Sequence, residues 1–220
     1  MTWHLGPYTI DGSLVLYTWI AILLTAGLVS WLARGATAGV PGIGQSLLES
    51  VFQFIADLAK VTFDPEKESF LYELLITLFL FLLISNFEGM IPSLHSPTAN
   101  LNLTAALAIA VFVLIQWYGV RYHGLGYFKH FAKPFLPLLP INLVEELSKP
   151  LTLAFRLYGN ILVGEIFMGM VARFRLLFYF LGGFVAAFVW WGFTAFVNVV
   201  QAFIFMVLTM AYVGKAMAEE

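Results

Sequence analysis

Five stretches of this chain are long and apolar enough to cross a membrane, and that limits the fold before any other feature does. They fall at about residues 14–33, 70–92, 101–120, 141–172 and 176–216. A helix needs roughly 20 apolar residues to span a hydrocarbon core about 30 Å thick. Of the 220 residues, 61% are hydrophobic and 11% charged, too little polar surface for a chain dissolved in water. In lipid each backbone N–H and C=O must find its partner within the structure, so apolar runs of this length fold as helices. The expected fold class is an all-α polytopic membrane protein forming a single membrane domain over residues 1–220. It has about five membrane-embedded helices, the last two long and strongly tilted.

Between the first two runs, residues 43–61 space Leu47, Val51, Phe54, Ile55 and Leu58 along one helical face, with Glu49, Gln53, Asp57 and Lys60 elsewhere. This predicts an amphipathic helix at the membrane surface or against another subunit. Pro134, Pro137 and Pro140 rule out one uninterrupted helix over the aromatic and basic segment 121–140. The last run, at about 1.5 Å per residue, reaches roughly 60 Å and must tilt, bend or break near Gly182-Gly183. Arg34, Lys60, Lys67, Arg121, Lys129, Lys133 and Lys215 flank the spans on one side, and Arg173 and Arg175 on the other. The excess of basic residues in cytoplasmic loops then puts the N-terminus outside and the C-terminus inside; the expected setting of this multi-pass protein is a bacterial inner membrane.

Several function classes drop out. A formal charge of −2 with no basic stripe gives nucleic acid nothing to bind. The chain has no cysteine, and His4, His95, His123 and His130 are not paired at ligand spacing, so no metal or cofactor is expected. No G-x-x-x-x-G-K-[ST] loop is present, so no nucleotide is expected to bind.

What remains is the polar residues inside the apolar runs. The stretch SKPLTLAFRLYGNILVGE, residues 148–165, places Arg156 well inside a span. A guanidinium stays charged at any accessible pH, and mid-span it costs about 2.5 to 3.5 kcal/mol on insertion scales. Snorkelling to the interface is disfavoured by the helix extending on either side, so a functional role leads. Thr152 and Asn160 sit four residues either side of Arg156, on the same face. Glu165, nine residues on, points to nearly the opposite side, about 13 Å along the axis, which argues against an intrahelical salt bridge. On the last run Thr194, Asn198 and Gln201 share a face, as interhelical hydrogen-bonding groups or as the lining of a hydrated path. Ser85, Asn86 and Glu88 form a further polar cluster at the end of the second run.

ELSKPLTLAFRLYGNILVGE together with QAFIFMVLTMAYV closely resembles the subunit a family of the membrane sector of F-type ATP synthases. SPTANLNLTAALA, in addition, looks like the start of that family's fourth membrane segment. The likeness is strong over residues 70–220 and loose before them. It implies a non-catalytic stator subunit that couples proton or sodium translocation to rotation of a c-subunit ring, with b subunits of the peripheral stalk and other synthase subunits as partners. By the same resemblance Arg156 faces the ring and its ion-carrying carboxylate, and Asn160, Glu165 and Gln201 take the family's other translocation positions. Some members carry a histidine seven residues before that glutamine, where this sequence has Thr194, so Glu165 with water is expected to carry more of the path.

A fixed cation would favour proton release from an arriving ring carboxylate, and would block direct proton passage between two offset half-channels. Asn86, Glu88, Asn100, Asn160 and Glu165 are expected to line the outer half-channel; Glu145, Glu146, Lys149 and Gln201 are expected nearer the cytoplasmic one. Thr152, Thr194 and Asn198 complete the candidate lining. A secondary ion exchanger would instead be expected to show paired discontinuous helices, and an intramembrane enzyme a nucleophile with its base; neither pattern stands out in this sequence.

Overall fold

A computed structural model describes residues 2–5, 8–34, 41–91, 96–124, 126–127 and 183–218, with positions 144, 148, 151–152, 154–159, 162–164, 166 and 169–170 between them. A short antiparallel hairpin opens the chain, β1 (Thr2–Leu5) and β2 (Tyr8–Asp11), in the register Thr2↔Asp11 to Leu5↔Tyr8. Among the described residues five long continuous helices follow: α1 (Gly12–Leu32), α2 (Ile43–Ala59), α3 (Ser69–Glu88), α4 (Leu101–His123) and α5 (Gly183–Ala218). Four described segments, α1, α3, α4 and Phe188–Ala218 of α5, have the length and composition to cross a membrane. The body is thus that of an all-α, multi-pass membrane protein.

Helix ends follow local chemistry. The second run, expected to reach residue 92, leaves the helix at Glu88, and Gly89 caps it with its N–H on the Phe87 carbonyl. A 3-10 turn at Pro97–Ala99 leads into α4, where the Asn100 side chain accepts from the Asn102 N–H at 2.9 Å and so satisfies a donor left open at the helix start. α4 passes the expected end at 120 and stops at Gly124, whose φ of +60° suits a residue without a Cβ. The expected span 141–172 is described only in pieces, all of them helical, the longest being 154–159. Residues 176–182 of the last run lie outside the described residues, and the helix there starts at Gly183.

The core is the packing of α3, α4 and α5. Leu71, Leu75 and Leu82 of α3 meet Ala108, Val111, Ile115 and Tyr118 of α4, and Phe205, Met206, Met210 and Val213 of α5. In lipid, apolar burial alone gives no preference for protein over acyl chains, so such contacts are held by close packing and interhelical hydrogen bonds. Close approach is visible at Gly119, where a Cβ would collide with the Tyr127 ring, and at Gly214, where it would collide with Thr62. α1 lies outside this trio. It buries the small residues Ala21 and Thr25, one helical turn apart, while Leu16, Trp19, Leu23 and Trp31 stay exposed.

The apolar face of α2 is only partly buried within the chain. Leu48, Ile55 and Ala59 are the buried residues, whereas Leu47 and Phe54 are more than half exposed. Tyr72 of α3 fixes this helix by donating its hydroxyl to the Phe52 carbonyl at 2.8 Å.

Polar contacts order the two ends of the bundle. Glu68, just before α3, accepts from Arg121 at 3.0 Å and from the Tyr122 hydroxyl at 2.8 Å, both near the end of α4. His123 Nε2 lies 3.1 Å from the Met217 carbonyl near the end of α5. The start of α3 and the ends of α4 and α5 therefore share one end. Arg34, Lys60, Lys67, Arg121 and Lys215 all follow, precede or close helices at that end. The hydrogen bond to Asp57 at 2.8 Å raises the Lys60 pKa above its usual value and keeps that group cationic.

Candidate functional site

Arg156 belongs to the helical residues 154–159, and its surroundings divide cleanly. Ala154 and Leu157 are buried, at 5% and 0% exposure. Thr152, Phe155, Arg156, Val163, Ile166 and Met170 are exposed. At 3.6 residues per turn, Phe155 and Arg156 lie about 100° apart in the continuous piece 154–159, with Ala154 and Leu157 on the other side. The arginine thus stands on a face that the described residues leave open. Gly164 turns toward α5: a Cβ there would lie 3.9 Å from Thr194 Cγ2.

A second polar group is buried where α3 ends beside α5. Asn86 Nδ2 donates to the Asn198 carbonyl at 3.3 Å, and Asn198 Nδ2 donates to the Asn86 carbonyl at 3.0 Å. Asn86 Oδ1 accepts from Thr98 Oγ1 at 2.8 Å, which lies 2.6 Å from Ser96 Oγ, and Ser96 Oγ donates to the Ser85 carbonyl at 2.8 Å. Asn86, Asn198, Ser85, Ser96 and Thr98 are all at most 3% exposed. Buried polar groups must find partners inside the protein, and this circuit supplies them across three elements.

Glu88, two residues after Asn86, is 2% exposed, and among the described residues neither carboxylate oxygen has a hydrogen-bond partner. Ser85 Oγ and Thr194 Oγ1 are likewise buried without one.

The candidate residues therefore divide in three. Asn86, Glu88, Asn198 and Gln201 are buried, and Asn100 is half-buried as the cap of α4. Thr194 is half-buried on α5, while Thr152 and Arg156 are exposed on the open face. Asn160, Glu165, Glu145, Glu146 and Lys149 lie outside the described residues. The structure brings Asn86 and Asn198 together across 112 positions of sequence. Ser96 and Thr98, not among the candidates, turn out to hold the cluster; their signal was the SPTAN stretch, in which a proline-led turn carries three polar side chains.

The chain can now be set beside known proteins. A family model described as "ATP synthase A chain" matches residues 15–214. ATP synthase subunit a of Desulforamulus reducens is 34% identical over 99% of this chain and 84% of its own length. That of Streptococcus equi subsp. zooepidemicus is 36% identical over 98% of this chain and 95% of its own. ATP synthase subunit a 1 of Syntrophotalea carbinolica is 39% identical over 93% and 86%. With a match over nearly its full length and four described segments able to span a membrane, the chain belongs to the ATP synthase subunit a family.

Proposed function

We propose that this protein is the stator subunit that couples ion flow to rotation in the membrane sector of an F-type ATP synthase, with Arg156 facing a ring of c subunits. The observation that carries this reading is the open face of the Arg156 segment. A permanent cation exposed beside Phe155, in a segment whose Val163, Ile166 and Met170 are exposed as well, is costly in lipid and is relieved by a partner that is apolar in surface and carries a carboxylate. Beside such a carboxylate the guanidinium favours its deprotonated form, so an arriving protonated group releases its proton, and the same charge bars direct passage across the membrane. Ions then cross only by travelling with the ring.

Two offset paths lead to that point. Asn86, Glu88, Asn100, Asn160 and Glu165 line the path open to the outside, and Glu145, Glu146, Lys149 and Gln201 the path open to the cytoplasm. Thr152, Thr194 and Asn198 flank them. The gathering of Arg34, Lys60, Lys67, Arg121 and Lys215 at one end supports a cytoplasmic C-terminus and an external hairpin. The setting is a bacterial cell membrane, with b subunits of a peripheral stalk as further partners. The driving force is the membrane potential, about 2.3 kcal/mol per charge per 100 mV. ATP chemistry takes place on other subunits.

The test is ion-driven ATP synthesis by the whole complex in vesicles with Arg156→Ala, beside passive proton leak through the same membranes. Synthesis should be lost in an assembled complex, with leak unchanged or raised. Normal synthesis would show Arg156 to be structural.

A further inference from the structure

We infer that Glu88 is a proton-carrying group of the outer path, in addition to Glu165, and that the hydrogen-bonded Asn86, Asn198, Ser96 and Thr98 are fixed structural groups at the same helix end. This rests on the translocation role proposed above and assigns tasks within it.

The reasoning starts from hydrogen-bonding capacity. A group that relays protons must have lone pairs or donors free to meet water, whereas a group already committed on every atom holds shape. Asn86 uses both ends of its amide, and Asn198 donates its own; the hydroxyls of Ser96 and Thr98 are tied to each other and to Ser85 and Asn86. Asn100 is occupied in capping α4. What stays uncommitted is Glu88, both of whose oxygens lack a partner among the described residues, with Ser85 Oγ and Thr194 Oγ1.

An ionised carboxylate that is 2% exposed and unpaired is strongly penalised, so Glu88 must be neutral at rest or meet a cation there. Among the described residues it makes no salt bridge, and the titratable groups on the hairpin and the open face include His4, Asp11 and Arg156. α5 carries no titratable group before Tyr212 and Lys215 near its far end, α4 none before Tyr118, and the Pro97–Ala99 turn none. On α1 the titratable group is Tyr17, and Glu73 on α3 itself stands four turns away. A carboxyl with free oxygens and no salt bridge among the described residues suits proton exchange. The neutral carboxylic acid gives its proton to water leading toward the ring carboxylate, forming hydronium there, and the carboxylate left behind takes a proton from hydronium on the hairpin side, leaving water. Glu88 returns to its neutral starting state.

Three variants of the whole complex in vesicles test this: Glu88→Gln, Glu88→Asp and Arg156→Ala. Glu88→Gln should lower proton-driven synthesis at least tenfold, and Glu88→Asp should retain it with a displaced pH profile. Wild-type synthesis and pH profile in Glu88→Gln, beside an inactive Arg156→Ala, would overturn this inference alone; an active Arg156→Ala would overturn the rotor reading beneath it. A measurement on the unaltered complex guards against a variant that fails to assemble. Dicyclohexylcarbodiimide adds to protonated carboxyl groups in apolar surroundings, and its labelling of Glu88, read by peptide mass spectrometry, should fall as pH rises. Labelling that is absent or indifferent to pH would refute a titrating Glu88.

Discussion

Asn86 and Asn198 each donate a side-chain amide hydrogen to the other's backbone carbonyl, at 3.3 and 3.0 Å, and so bind the end of α3 to the middle of α5. The exchange is a structural clasp with a defined signature. Interhelical hydrogen bonds in membranes contribute about 0.6 kcal/mol on average and up to about 1.7. Asn198→Ala should therefore destabilise the assembled protein by roughly 1–2 kcal/mol, and Asn86→Ala by more, because it also strips Thr98 of its acceptor. The two changes remove different bonds, because each amide donates to a backbone carbonyl that the other's replacement leaves in place, so the double variant should cost close to the sum of the two. Thermal denaturation of the four forms in detergent measures this, and a double variant that costs no more than Asn86→Ala alone would mean that the Asn198 amide adds nothing to the clasp.

Glu68 is the second junction of the bundle. It is 7% exposed and held by Arg121 and Tyr122, while Arg121 also lies over the Tyr118 ring at 5.7 Å. Removing one partner of a buried carboxylate costs more than a surface pair is worth, but the Arg121 side chain is 53% exposed and water recovers part of the loss. Arg121→Met should thus cost roughly 1–3 kcal/mol, and Tyr122→Phe about 1 kcal/mol. Replacing Glu68 by Gln in the Arg121→Met background should restore part of the stability, because the stranded charge is gone. Denaturation midpoints of these forms decide the matter; no recovery would place the stabilisation elsewhere.

Gly214 is where α5 passes the turn after α2. A methyl group there would overlap Thr62 Cγ2, so Gly214→Ala should destabilise by roughly 1–3 kcal/mol through overpacking. Thr62→Ser removes the colliding methyl and should rescue the Ala variant while changing the wild type little. Protease resistance of the two ends in detergent reports the rescue, and an unrescued variant would point to backbone strain instead.

Which parts of this protein could be read from its sequence follows from the physics of lipid. The positions of α1, α3, α4 and α5 were legible because length and apolarity are dictated by the bilayer. Which side of a helix is buried was not: Leu47 and Phe54 of α2 are as apolar as Leu48 and Ile55, yet face outward, since a lipid-facing and a protein-facing residue look alike. The pairing of Asn86 with Asn198 depends on tertiary contact between distant segments, which no local spacing encodes. The N-terminal hairpin was missed although its β-branched and aromatic residues flank Gly6-Pro7, a turn signal that the apolar runs overshadowed. Arg156 drew notice in the sequence for the opposite reason: a permanent charge in an apolar run stands out against its neighbours.

The central claim is that the face bearing Arg156 is the one that meets the ring. Because the chain contains no cysteine, single cysteines can be placed on either side of the segment without background. With matching cysteines on the outer ring helix, Phe155→Cys and Val163→Cys, which replace exposed residues, should form disulfides to the ring on mild oxidation of the assembled complex. Ala154→Cys and Leu157→Cys, which replace buried ones, should not. Cross-linking from positions 154 and 157 but not from 155 and 163 would turn the arginine away from the rotor and contradict the mechanism.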